Sequence, residues 1–200
     1  MENKLNKKHY YVYQKIINIL YPAIFNVKVY NKEFIPQTGN AIIIGNHVNN
    51  LDPCNVIIST KRMVSFLAKS ELFEPWYGFV FRNAKCISVD CDHKSHESTV
   101  EAIRRLNMGE LVGLFPEGAV KRDDSIVLQP FKNGAIKMAK ETNSPIIPFA
   151  IVGKYKAFTG KLKVIFSEPI DISEMSYEEA NKLLYDKIYN LIIENENKDA

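Results

Sequence analysis

A histidine followed five residues later by an aspartate, His47 and Asp52, is the pair in this 200-residue sequence best equipped to move a proton. An imidazole with an ordinary pKa near 6.5 takes a proton from an alcohol at neutral pH. A carboxylate beside it fixes the tautomer and stabilises the imidazolium that forms. On a regular helix a five-residue offset sets two side chains about 140° apart, so this pair meets only if Val48-Asn49-Asn50-Leu51 turns. Asn49 and Asn50 favour such a turn. The bare pair is equally compatible with local structure, since many histidines and aspartates only satisfy nearby backbone. A metal site needs more ligands than these two.

The second constellation is Phe115-Pro116-Glu117-Gly118. Glu117 can accept hydrogen bonds from hydroxyls, and Gly118 lets the backbone approach a ligand closely. A capped turn accounts for the same four residues, because Pro and Gly punctuate ordinary turns. The sequence has no Gly-x-Ser-x-Gly nucleophile elbow. Cys54 reads as a buried structural thiol rather than a nucleophile.

Both constellations follow short apolar runs that read as buried strands, Ala41–Gly45 and Leu111–Phe115. Strand ends of this kind are where open α/β sheets bind ligands. Further strands are expected at Phe25–Tyr30, Met63–Ala68, Cys86–Val89, Pro145–Val152 and Leu162–Phe166. Asp52 suits a helix N-cap, with Pro53 at the first helical position.

Helical periodicity marks Lys8–Tyr21, with Tyr10, Tyr13, Ile17, Leu20 and Ile24 on one face and Gln14, Lys15 and Asn18 elsewhere. Pro22 is expected to end or kink this helix. Preceded by Lys4, Lys7 and Lys8, it suits a lipid interface, although a helix packed on its own domain has the same pattern. Ser70–Arg82 is expected to be one helix whose aromatics, Phe73, Trp76, Tyr77, Phe79 and Phe81, face the core. Helices are also expected at Ser95–Asn107 (Val100, Ile103 and Leu106 inward), Asn133–Glu141 and Tyr177–Ile193 (Tyr177, Ala180, Leu184, Ile188 and Leu191 inward). The alternation predicts a single α/β domain over residues 26–195, with a mixed central sheet flanked by helices. An N-terminal amphipathic membrane-interface helix over residues 1–25 precedes it, and a frayed tail, 196–200, follows.

Composition narrows the function classes. Hydrophobic residues make up 46% and charged residues 24%, which suits a packed domain rather than a disordered chain. The net charge of +3 is uneven, with −4 on residues 172–200 and +7 on residues 1–171. A basic body suits an anionic partner such as a phospholipid surface or a phosphate-bearing substrate. Nucleic acid is not an expected partner, because there is no clustered basic stripe, zinc-finger spacing or aromatic RNA-binding signature. Cys54, Cys86 and Cys91 are irregularly spaced, which argues against a disulfide framework or a zinc site and for a reducing compartment. The start, MENKLNKKHYYVYQ, lacks the features of a signal peptide. No stretch approaches the ~18 apolar residues of a membrane span, so membrane contact would be at the surface.

Taken in order, the motifs resemble those of the lysophosphatidic acid acyltransferase family (1-acylglycerol-3-phosphate acyltransferases). The family's first motif, Asn-His, four residues and Asp, reads here Asn46-His47-Val48-Asn49-Asn50-Leu51-Asp52. Its third reads Phe115-Pro116-Glu117-Gly118, and its fourth, a proline in an apolar strand, is similar to Ile146-Ile147-Pro148. AKSELFEPWYGF and PFKNGAIKMAK match in texture, and the resemblance spans residues 27–170. It implies His47 as general base on a lipid hydroxyl, Asp52 as its orienting partner, and direct attack on a thioester without an acyl-enzyme. It also implies an acceptor site at Asn46, Phe115, Pro116, Glu117 and Gly118, with Lys121 and Arg122 as sources of positive charge, and Pro148 in the acyl-donor region. The expected reaction acylates the sn-2 hydroxyl of lysophosphatidic acid, giving phosphatidic acid in phospholipid biosynthesis. The donor would be acyl-CoA or acyl carrier protein, with no cofactor or metal. The expected location is the cytoplasmic face of the cell membrane, as a peripheral protein. The Phe73–Phe81 aromatics are an alternative wall for an acyl channel.

The sequence departs from the pattern at several places. Asn49 stands where serine is common, Lys85 where glycine usually opens the second motif, and Ala119-Val120 where Thr-Arg or Thr-Ser often follows. Cys91 stands where an arginine is thought to bind the acceptor's phosphate, and cysteine cannot replace that bidentate grip. These departures leave two alternatives: a different acceptor, such as another lysolipid or an acylated amino-acid lipid, or a non-catalytic lipid-binding protein.

Overall fold

The structure, a computed structural model, describes residues 2–90, 96–121, 123 and 125–196, with backbone alone at 2–7 and 96. Cys91, Arg122 and residues 197–200 of the expected tail lie outside the described residues.

Among the described residues seven strands form one sheet: β1 Val27–Tyr30, β2 Ala41–Gly45, β3 Val64–Lys69, β4 Ile87–Val89, β5 Leu111–Leu114, β6 Ile146–Gly153 and β7 Leu162–Phe166. Their order is β1-β7-β6-β2-β5-β3-β4. Neighbours run parallel except β6 and β7, which are antiparallel, so the sheet is mixed as the sequence predicts. The helices are α1 Glu2–Phe25, α2 Asp52–Ile57, α3 Gly78–Asn83, α4 His96–Asn107, α5 Gly134–Thr142 and α6 Tyr177–Glu196.

Every residue of β2 is buried, which is why its sequence is a continuous apolar run rather than an alternating one. The pleat sends successive side chains to opposite faces. Ile42 and Ile44 join a core with Leu106 of α4, Ile136 of α5 and Ile188 of α6. Ala41 and Ile43 join a second core with Val56 of α2, Phe66 and Phe149.

Three helical expectations change. The first is that Pro22 does not end α1, which runs on to Phe25. Asn18, whose carbonyl loses a helical donor to the proline ring, is exposed, so water can serve it. Its inward face also differs from the apolar stripe. Gln14 is buried and donates through Nε2 to the carbonyls of Ile57 (3.2 Å) and Thr60 (2.8 Å), while Leu20 is exposed. A polar residue can line a packed face once its hydrogen bonds are met, and an apolar count alone misses it.

The second change is that Ser70–Arg82 is not one helix. A 3-10 turn at Ser70–Phe73 is followed by α3, because the chain folds back at Pro75 and Gly78. A Cβ on Gly78 would lie 2.1 Å from the Phe73 carbonyl oxygen. Three of the five aromatics accordingly do not face the core: Trp76 is 86% exposed, and Tyr77 and Phe79 are exposed as well, while Phe73 and Phe81 are half-buried.

The third change is in two inward stripes. On α4 Ser98, Ala102 and Leu106 are buried and Val100 is exposed. On α6 the buried residues are Ala180, Leu184, Ile188 and Ile192, and Tyr177 is exposed.

Candidate active site

β2 ends at Gly45, against the ring of Phe149 in β6; a Cβ there would sit 2.5 Å from that ring. Asn46 follows, buried, and its side-chain amide clips β6 in both directions. Nδ2 donates to the Ile151 carbonyl (2.9 Å), and Oδ1 accepts the Ile151 N–H (2.7 Å). With its amide used this way, Asn46 fixes the exit point of the strand rather than presenting itself to a ligand.

The next residue, His47, is clamped by its own backbone. Its N–H donates to Glu117 Oε1 (2.6 Å), and its carbonyl accepts the Lys121 N–H (2.8 Å). Its ring stacks on Phe115, with centroids 4.2 Å apart and planes 11° from parallel. The two motifs far apart in sequence are therefore one structural unit at the ends of β2 and β5.

The loop Val48–Leu51 turns as its asparagines predict. Asn49 Oδ1 accepts the Leu51 N–H (3.0 Å), and the Asp52 N–H returns to the Asn49 carbonyl (3.0 Å). This turn brings Asp52 Oδ2 within 2.8 Å of His47 Nδ1. The same oxygen accepts the N–H groups of Val48 (2.7 Å) and Asn49 (2.8 Å). The cap of α2 is Leu51, and Asp52 is the first residue inside the helix with its carboxylate turned back to the loop, contrary to the expected N-cap. The turn's own N–H groups satisfy the carboxylate better than the helix end does, because three donors, counting His47, converge on one side of it.

Asp52 is completely buried, whereas the His47 side chain keeps 17% of its surface exposed. With Nδ1 committed to Asp52, Nε2 is the ring nitrogen that can face a substrate. This arrangement holds a general base in one tautomer at an open edge.

Glu117 is buried, and both of its oxygens accept backbone donors: Oε1 from His47 and Oε2 from Gln129 (3.0 Å). Burial holds its pKa above the ordinary carboxylate value, partly offset by those two N–H groups. It acts as a strut between the loop after β2 and the loop after β5. Gly118 adopts the left-handed backbone (φ 77°) that completes the turn, with the end of the Lys132 side chain beside it. Pro116 is buried and accepts the Lys132 N–H (2.9 Å). Pro148 is buried in β6 across from Ile44, in the body of the sheet rather than at the dyad. Cys54 is half-buried next to the dyad, and burial, with Asp52 adding to it, pushes its thiol up to about 11. A thiol so protonated is a poor nucleophile.

Sequence reasoning missed Tyr155, Asn55 and Tyr21. The Tyr155 hydroxyl, on the loop after β6, donates to Asp52 Oδ1 (2.5 Å). It accepts from Asn55 Nδ2 (2.6 Å), while Tyr21 of α1 donates to Asn55 Oδ1 (3.1 Å). The signal for Asn55 was present: it lies three residues after Asp52, a spacing that puts both on one helix face. The positions of Tyr21 and Tyr155 follow only from the tertiary fold.

His47, Glu117 and Tyr155 thus come from the C-terminal ends of β2, β5 and β6, three neighbours in the sheet. The connection after β2 goes to α2 and that after β5 leads to α5, whose apolar residues belong to opposite cores. Connections that diverge to opposite faces leave a crevice at the sheet edge, the usual ligand site of open α/β folds. Among the described residues no group of side chains is arranged to hold a metal ion.

Comparison with known proteins agrees with this geometry. Residues 26–152 match the family model described as Acyltransferase. The 1-acyl-sn-glycerol-3-phosphate acyltransferase of Bacillus subtilis is 30% identical over 86% of this chain and 89% of its own length. The Haemophilus influenzae protein of the same name is 32% identical over 77% of this chain and 68% of its own. The crystal structure of the 1-acyl-sn-glycerophosphate (LPA) acyltransferase PlsC from Thermotoga maritima superposes with a TM-score of 0.74 at 25% identity, covering 95% of this chain and 80% of that one. A family model spanning most of the sheet, a bacterial relative matched nearly end to end and a shared fold leave one assignment, and this chain belongs to the acyltransferase family as an O-acyltransferase.

Proposed function

We propose that this enzyme acylates the sn-2 hydroxyl of lysophosphatidic acid, producing phosphatidic acid, at the cytoplasmic face of a membrane. The observation that carries the reading is the His47–Asp52 pair, held in one tautomer at the open edge of the sheet. His47 Nε2 takes the proton from the acceptor hydroxyl as its oxygen bonds to the carbonyl carbon of an acyl thioester. The tetrahedral adduct collapses, the carbon–sulfur bond breaks, and the imidazolium returns the proton to the leaving thiolate. Asp52 keeps the ring oriented and stabilises the imidazolium. The donor is acyl-CoA or acyl carrier protein, with Pro148 in the strand nearest its acyl chain. Phe115, Pro116, Glu117 and Gly118 frame the acceptor side, and Lys121 and Arg122 lend it positive charge. Asn46 and Glu117 act through the backbone they hold.

The test is acyl transfer by wild type and His47→Ala on mixed micelles of lysophosphatidic acid with each donor. General-base catalysis contributes roughly 10² to 10⁴ in rate, so a loss in that range is expected in a folded His47→Ala protein. Full activity in that variant would refute the mechanism. A second reading rests on Cys91, which stands where an arginine is expected to grip phosphate. It keeps the chemistry and changes the acceptor to a phosphate-free lysolipid. Equal turnover of such lysolipids in competition would favour it. Binding without turnover by either protein would instead indicate a lipid-binding role.

A further inference from the structure

We infer that Tyr155 is a positioning residue for the catalytic dyad, and that with Asn55 and Tyr21 it links the dyad to helix α1. The inference rests on His47 being the base.

The hydrogen bonds run in one direction. Tyr21 O–H donates to Asn55 Oδ1 (3.1 Å), Asn55 Nδ2–H donates to the Tyr155 oxygen (2.6 Å), and Tyr155 O–H donates to Asp52 Oδ1 (2.5 Å). Because the Asn55 amide occupies the Tyr155 oxygen as a donor, the single hydroxyl proton of Tyr155 is directed to the carboxylate. Asp52 Oδ2 is then free for His47 and the two loop N–H groups. Oδ2 and Oδ1 are thereby tied to different elements, the loop after β2 and the loop after β6, which leaves the carboxylate plane no freedom to rotate. Burial and the adjacent Asp52 charge raise the Tyr155 pKa well above the ordinary phenol value, so the hydroxyl stays protonated as a donor. Asn55 and Asp52 are both fully buried, so each depends on the protein groups around it for its hydrogen bonds.

The consequence is a dyad whose geometry depends on where α1 sits. Tyr21 is the one member of the chain contributed by α1, and its ring lies against Phe25, which in turn meets the Tyr155 ring (centroids 5.1 and 5.6 Å apart). A helix with an exposed apolar surface is thus connected by named contacts to the carboxylate that orients the base.

The test compares kcat and KM for wild type, His47→Ala, Tyr155→Phe and Asn55→Asp. Each is assayed at a temperature where melting shows the variant folded, alongside ¹⁵N NMR of the His47 ring at a pH where it is neutral. Asn55→Asp keeps the shape but turns the donor facing Tyr155 into an acceptor, which draws the phenol proton away from Asp52. Hydrogen bonds to charged groups are strong enough that at least a tenfold fall in kcat is expected for Tyr155→Phe, with KM for the lysolipid within about twofold. The wild-type ring should be in the Nδ1–H tautomer, and both variants should show a mixture. Wild-type kcat and an unmixed tautomer in whichever variants fold would overturn the inference. A loss confined to KM would overturn it as well. Unchanged activity in His47→Ala would instead remove the reading on which it rests.

Discussion

At the residue scale, the site is built so that polar side chains hold backbone and one ring nitrogen of His47 faces outward. Glu117 and Asn46 are the most conspicuous polar residues near His47, yet both are spent on N–H and carbonyl groups of neighbouring loops. Cys54 is the other reactive residue type near the dyad, and its environment disables it. With its thiol pushed up to about 11 by burial, under about 1% is thiolate at neutral pH. Cys54→Ala is therefore expected to keep kcat within about threefold of wild type and to resist no thiol reagent differently in activity; a loss of 10² or more in a steady-state acyl-transfer assay would restore a covalent role. The dyad itself was legible from sequence because the asparagine-rich turn lets His47 and Asp52 meet and because the pair stands in order with Phe115-Pro116-Glu117-Gly118, as the family resemblance requires; the pair alone fits local structure equally well. Tyr155 was not legible, because its approach to Asp52 needs β6 to lie beside β2, a pairing that no local pattern encodes.

At the element scale, strands were read closely and helix faces less so. Fully apolar runs such as Ala41–Gly45 have one satisfactory environment, the middle of a parallel sheet. Helix faces were misread wherever a buried polar group found partners, as Gln14 does, or wherever a tight turn cut the period, as Pro75 and Gly78 do. The end of α3 explains one departure from the family pattern. Lys85 sits just past that helix with φ 60°, its N–H bonded to the Arg82 carbonyl. That left-handed position is the one glycine favours after a helix, which accounts physically for the glycine usual at this place. Lys85→Gly removes the Cβ strain and is expected to stabilise the protein by up to about 1 kcal/mol, net of the entropy glycine loses on folding. Denaturant melts compared at equal m-value would read it, and destabilisation would show that the lysine side chain contributes more than the strain costs.

At the scale of the whole molecule, the exposed apolar residues are concentrated on two elements that pack together, α1 and the α3 region. Ile16, Ile19 and Leu20 on one and Trp76 and Phe79 on the other are all exposed, with Trp76 at 86%. No helix among the described residues is long and apolar enough to cross a membrane. Such a surface suits seating on a bilayer, the location proposed for the reaction. Burying a large apolar side chain is worth about 1.5–3 kcal/mol. The double variant Ile19→Asp, Trp76→Ala is thus expected to bind vesicles of anionic phospholipid at least tenfold more weakly. Turnover of a short-chain, micelle-free lysolipid should stay within about twofold. Sedimentation with vesicles reads the first quantity and a soluble assay the second, and unchanged vesicle binding would place the membrane surface elsewhere.

The sheet order also has a consequence for how the chain is made. β1 pairs only with β7 in the sheet order, Val27 standing opposite Leu162. During synthesis, therefore, β1 leaves the ribosome well before β7 and remains without its strand partner until β2 to β6 have followed. Closing so distant a pair is slow compared with local folding. Through that interval α1 has only early-made partners such as α2 and α3 to rest on, and until β6 has followed, the loop that delivers Tyr155 to Asp52 has not yet been translated. The nascent chain can therefore meet a bilayer while its dyad is still incomplete, and the dyad gains its last support only once β6 and the loop after it have been made.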